Sequence, residues 1–196
     1  MPRIPLLSID DLTPEQSALT KAITEGKRGK DRPMSEFTYP DGSLRGPFNP
    51  WLHSPEIGHN AQKLGESLRF NSDMPATLRE LAIICVAVHW QADYEWWAHA
   101  RIALKEGLAE DVVEAVKVGK TPPETEPGVQ AVTAFVRETL ADRRVSDETY
   151  AAVHGQLGDR GTVDLVALIG YYCLISATLN VFQVPMPDGE TPPFGG

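Results

Sequence analysis

The stretch LRELAIICVAVHWQADYEWWAHARIALKEGL, residues 78–108, decides the fold. From Leu81 to Val88 it holds no charged residue, and Leu78, Leu81, Ile84, Cys85 and Val88 recur at three- and four-residue spacing. That is a helix buried on most of its circumference. After a break of about three residues a second amphipathic helix follows, with Ile102, Leu104 and Leu108 on its apolar side. A break this short makes the two helices antiparallel neighbours, so Glu80 should meet the later half of the second helix, where His99 lies, rather than its start.

The same signals recur outward from this hairpin. Thr13 before Pro14 and Glu15, Ser54 before Pro55 and Glu56, and Pro75 before Ala76 each match a capping residue or first-turn proline. No alternating stretch of useful length competes, so the fold is read as an all-α, compact multi-helix bundle. Helices are expected near 14–25, 55–70, 75–90, 93–106, 110–118, 128–142, 147–157 and 162–182. A single domain spans 1–196. A long arm at about 26–53 carries Phe37, Tyr39, Phe48 and Trp51, too many aromatics for a solvated linker, and is read as ordered over a site or a subunit neighbour. A flexible tail follows at about 184–196.

Composition sets the partners. The chain has 196 residues, 42% of them hydrophobic, enough for a core without staples. Its 27 acids outnumber 18 bases for a net charge of −9, which argues against nucleic acid, where phosphates need a basic face. The start, MPRIPLLSIDDLTPEQ, lacks the apolar core of a secretory signal, so a cytoplasmic location is expected. Cys85 and Cys173 lie in apolar stretches and read as two buried thiols. The segment Leu165 to Phe182 approaches membrane-span length. Two tyrosines, Ser176, Thr178 and Asn180 interrupt it and no basic flank anchors it, so it is read as a core or intersubunit helix and not a span. Its apolar surplus predicts a homo-oligomer.

Chemistry concentrates in the opening stretch. Ala92, Glu95 and His99 share a helix face, and Glu95 and His99 form an i, i+4 pair in which the carboxylate orients the imidazole. Such a pair is suited to acid–base work. Glu80, on the first turns of the apolar helix, is either paired with a base such as Arg79, Arg101 or Arg45 or kept protonated for a task. His89 lies opposite Glu80 and serves as a substrate contact or as a core or interface histidine. Trp90, Trp96 and Trp97 pack. The histidines at 53, 59, 89 and 99 have no recurrent ligand spacing, so no metal is expected.

A glutamate, a special position twelve residues on, a tyrosine two later, a second special position and then a histidine four beyond together resemble the carboxymuconolactone decarboxylase superfamily, which includes the alkylhydroperoxidase D branch. In that branch the special positions are the cysteines of a Cys-x-x-Cys pair. Here Glu80, Tyr94 and His99 match, while Ala92 and Glu95 replace both cysteines. GPFNPWLHSPEIGHNAQKLGESLRF and ALIGYYCLISATLNVFQVP resemble the longer decarboxylase-like members, so the similarity runs from about residue 40 to 185.

The resemblance implies small all-helical subunits in homo-oligomers, with the site between helices and often near a subunit boundary. Thiol peroxidase chemistry needs one thiolate to attack and another to resolve, which alanine and glutamate do not supply. Decarboxylation of an unsaturated carboxylated lactone instead needs donors to the lactone oxygen and a proton for carbon. The candidates are His99, ordered by Glu95, as the acid, and Tyr94 or Glu80 as polariser or relay. Arg45 is the candidate carboxylate anchor, and Asn49, Trp51 and His89 are lining residues. The expectation is a lyase of aromatic-compound catabolism without metal or organic cofactor, acting on a small molecule. A peroxidase lacking its thiols and a non-catalytic helical binding protein are the alternatives.

Overall fold

The computed structural model describes residues 2–30 and 32–195. Position 31 of the arm and position 196 of the tail lie outside them. Among the described residues the regular structure is helical: α1 (Pro14–Thr24), α2 (Phe48–Leu52), α3 (Pro55–Phe70), α4 (Ala76–His89), α5 (Asp93–Lys105), α6 (Glu110–Lys117), α7 (Val129–Asp142) and α8 (Asp147–Val181). Extended pairing is confined to the isolated bridges Ser8–Ser43 and Thr38–Leu44.

The chain divides into two compact units, Met1–Asn71 with Ala177–Glu190, and Ser72–Ser176 with Thr191–Gly196. In the first, Thr13 and Gln16 close a reciprocal capping box at the start of α1, an arrangement whose loss costs about 1 kcal/mol. Leu19 and Ile23 of α1 and Leu52 of α2 are fully buried. Ser54, the other predicted cap, makes no side-chain cap bond, and the Pro55 ring alone pre-sets the first turn of α3. The arm is folded, with Phe37, Tyr39, Leu44 and Trp51 in the core. Tyr39 donates its hydroxyl to the Pro185 carbonyl (2.6 Å), which anchors the start of the predicted tail.

In the second unit α4 is the central element. Every residue from Leu81 to Ala87 is buried, as the uncharged run requires. Its neighbours are α5, α6 and α7, which face it with Ala100 and Ala103, with Val112, Val113 and Val116, and with Val132, Phe135 and Val136. The α4–α5 connection is Trp90, Gln91 and Ala92. Gln91 takes a left-handed conformation (φ 49°), and the Ala92 N–H returns to the Ala87 carbonyl (2.9 Å), which stops α4 and reverses the chain.

The two helices expected near 147–157 and 162–182 are joined in α8, which bends at Gly158, where φ is 64° and ψ is −174°. α8 is long and apolar enough to cross a membrane by length and composition, a test that core helices also pass, and 56% of its apolar window is buried. The tail closes on this second unit: Phe194 donates its N–H to Asp93 (2.7 Å) and packs edge-on against Trp96.

Candidate active site

The antiparallel turn brings Glu80 of α4 against His99 of α5. Glu80 Oε2 lies 2.6 Å from His99 Nδ1. Glu95, one turn earlier on α5, places Oε1 3.2 Å from His99 Nε2. The imidazole is thus spanned by two carboxylates on opposite edges. All three residues are buried, at 0% exposure for Glu80, 3% for Glu95 and 6% for His99. Arg79 puts its Nε 3.6 Å from the other oxygen of Glu80, so Arg79 is the base at this carboxylate among those the sequence offered.

Burial of charged groups this complete is tolerated when they are paired, and here the pairing has a chemical consequence. The short Nδ1 contact to Glu80 is a hydrogen bond that orients the ring, as the acid partner of a catalytic histidine does. Glu95 Oε1 stands at ion-pair distance from Nε2 but outside hydrogen-bond geometry.

A residue the sequence reading did not select completes the enclosure. Tyr172 of α8, 3% exposed, meets the His99 ring edge-to-face at 5.1 Å, and Tyr171 packs on Tyr172 in turn. The signal was present in GYYC, tyrosines inside an apolar helix, but it served only to argue against a membrane span.

The remaining candidates have other partners. Tyr94, expected to converge with the triad, has its ring on the face that carries Trp97 (5.5 Å) and Arg101, which caps Trp97 at 4.5 Å. Five residues before His99 is about 140° around the helix, which separates the two faces. His89 occupies the exposed last turn of α4, about 13 Å along the axis from Glu80 and on the opposite side.

Arg45, Asn49 and Trp51 lie in the first unit and have partners there. Arg45 donates Nε to the Thr38 carbonyl (2.6 Å) and sits over Tyr39. Asn49 exchanges two hydrogen bonds with the Leu7 backbone (3.0 and 2.9 Å), and Trp51 packs edge-on against Phe48.

Ala92 caps the start of α5, fully buried, and with Glu95 it leaves no sulfur near the imidazole on α5. Cys85 is buried inside α4, and burial pushes its thiol up to about 12. Cys173 is raised by burial too, against a hydrogen bond from the Trp90 side chain. Among the described residues no group of three histidine, cysteine or acidic side chains is arranged to hold a metal ion. Within the triad, the carboxylates address opposite edges of one ring and so share no common point.

The fold these elements build is that of the alkylhydroperoxidase D-like proteins. An uncharacterized peroxidase-related protein from Ralstonia eutropha JMP134, with an alkylhydroperoxidase AhpD core, superimposes with a TM-score of 0.73 at 16% identity, over 99% of this chain and 94% of that one. The debrominase Bmp8 bound to 2,3,4-tribromopyrrole does so at 0.70 and 13%, over 98% and 96%. A peroxidase-related protein from Silicibacter sp. TM1040 gives 0.68 and 13%, over 100% and 94%. No curated protein matches the sequence. The sequence profile of the carboxymuconolactone decarboxylase family matches residues 55–138, the segment that contains Glu80, Glu95 and His99.

Proposed function

We propose that this protein is a cofactor-free acid–base enzyme of the decarboxylase type, acting on a small carboxylated lactone or a related intermediate of aromatic-compound breakdown. The observation that carries the reading is the buried imidazole held between Glu80 and Glu95. Loss of carbon dioxide from such a lactone breaks a C–C bond and leaves its electron pair delocalised onto the ring carbonyl. The carbon then needs a proton. In this reading His99 delivers the proton, Glu80 fixes its ring, Glu95 stands beside Nε2, and the buried surroundings of the triad strengthen every contact with developing charge. The solved structures that share the fold bear names of peroxidase-related proteins and a debrominase. Dithiol peroxidase chemistry is disfavoured for this chain by Ala92 and Glu95 at the positions where that branch carries its cysteines.

The test is turnover of carboxylated butenolides, followed by loss of ultraviolet absorbance and release of carbon dioxide, with solvent deuterium appearing at the carbon that bore the carboxylate. His99→Ala should lower the rate by roughly 10²- to 10⁴-fold, the usual share of general acid–base catalysis, and leave the circular dichroism spectrum intact. Tyr94→Phe should act like wild type. Equal rates in wild type and His99→Ala would remove the acid–base reading.

A further inference from the structure

Among the charged side chains of the buried cluster, Arg79 is the one that reaches furthest toward solvent. Side-chain exposure is 0% for Glu80, 4% for Glu95 and 8% for His99, against 13% for Arg79. In LRELAIICVAVH, Arg79 stands just before the uncharged run and next to Glu80 on the first turns of α4. Its guanidinium therefore lies 3.6 Å from the carboxylate that holds His99.

That guanidinium is only partly used. Nε is buried and stands at ion-pair distance from Glu80 Oε1 without donating a hydrogen bond. The two terminal nitrogens donate to no acceptor among the described residues, and unlike Nε they are not shut away from solvent. Arg137, the other half-buried arginine of the second unit, shows the usual arrangement: it donates Nη2 to the Lys120 carbonyl at 2.7 Å. A guanidinium offers five N–H donors in a planar fork that suits an anionic oxygen or an oxygen pair. Arg79 thus brings unspent donors and a positive charge to the accessible edge of the Glu80–His99 pair. Arg101 lies over Trp97 on another face of α5, and Arg45 has its partners in the first unit.

We propose that Arg79 is a catalytic residue of this site, donating from its terminal nitrogens to the substrate oxygen that becomes negative during the reaction. The inference rests on the acid–base reading above and names the substrate feature it requires, a carbonyl conjugated with the carbon that bears the carboxylate. When the C–C bond breaks, carbon dioxide leaves without charge and the electron pair passes into that carbonyl. A cation at the departing carboxylate would stabilise the starting acid and slow the step. At the carbonyl oxygen it stabilises the enolate and speeds it. His99 then delivers a proton to carbon, and the carbonyl re-forms.

The test uses the full chain and two probes that share one five-membered ring: crotonolactone, a neutral unsaturated lactone, and tetronate, a lactone enolate that is anionic at neutral pH. Isothermal titration calorimetry should find tetronate bound at least about tenfold more tightly than crotonolactone, the share of a charge-assisted hydrogen bond. Arg79→Gln should weaken tetronate binding about tenfold, change crotonolactone binding far less, and leave the circular dichroism spectrum intact. Arg79→Lys keeps the charge beside Glu80 but loses the fork, so its tetronate affinity should fall between the two. Undiminished tetronate affinity in whichever of these variants fold would overturn the proposal. So would a wild-type protein that does not bind tetronate saturably or does not prefer it to crotonolactone. Decarboxylation that falls in His99→Ala but not in Arg79→Gln would overturn this inference alone. Arg79-dependent tetronate binding without decarboxylation of any carboxylated butenolide would instead overturn the proposed function and leave Arg79 as an anion-binding residue.

Discussion

His99 is held on three sides, by Glu80 at Nδ1, by Glu95 at Nε2 and by the Tyr172 ring. An imidazole so constrained transfers a proton without first having to find its orientation, which is the contribution a fixed acid partner makes to general acid–base catalysis. The two cysteines show the reverse. Cys85 lies in the buried stretch of α4, and its thiol keeps its proton to about 12 against an ordinary value of 9.0. A thiol reagent at about pH 8 should therefore modify Cys85 only upon unfolding, and dithiol-dependent peroxide reduction should be absent. Hydroperoxide turnover that disappears in Cys85→Ser would contradict both expectations. Between pH 9 and about 12 the folded state binds more protons at this site than the unfolded chain does. The stability Cys85 contributes is complete below pH 9 and is lost as pH rises toward 12, by at most about 1.4 kcal/mol per pH unit. Cys85→Ala should flatten that alkaline decline in urea denaturation.

The helices are built from local rules, and their ends from exceptions to them. Gly158 sits at φ 64° and ψ −174°, a region that costs any other residue of order 1–3 kcal/mol. Gly155, three residues earlier on the same helix, has open space where a Cβ would go. Gly158→Ala should lower the urea midpoint by an amount equivalent to roughly 1–3 kcal/mol, whereas Gly155→Ala should raise stability by about 0.5–1 kcal/mol. Similar effects for both would mean that the bend in α8 does not depend on the glycine. The bend matters to the site because the half of α8 that follows it carries Tyr172.

On the scale of the whole molecule, α8 carries an apolar surface that the subunit leaves open: Val163 at 67% exposure, Val166 at 52% and Leu174 at 43%, with Gly170 exposed among them. The pattern is nearly symmetric about Gly170, with valines seven and four residues before it and Leu174 and Ala177 four and seven after. Two antiparallel copies of this helix would oppose like with like across a two-fold axis, close together where the glycine has no side chain. We therefore expect sedimentation velocity at micromolar concentration to find a dimer or a larger assembly, and Val166→Glu to shift it toward monomer. A wild-type monomer under those conditions would rule this interface out.

The sequence by itself determined the helices. Their 3.6-residue periodicity and their proline and glycine stops are short-range properties, so α4 and α5 fall within a residue or so of where the pattern puts them. It also determined that Glu80 would meet His99, because a three-residue turn leaves two helices little choice but to run antiparallel. Only the tertiary structure decided that Tyr172 would close over the imidazole and that the Ser176 hydroxyl would be buried without a hydrogen bond. Those facts depend on how far apart in sequence two packed helices are and on the azimuth each presents to the other. Both are set by the sum of many weak contacts across the core and by no local pattern of residues.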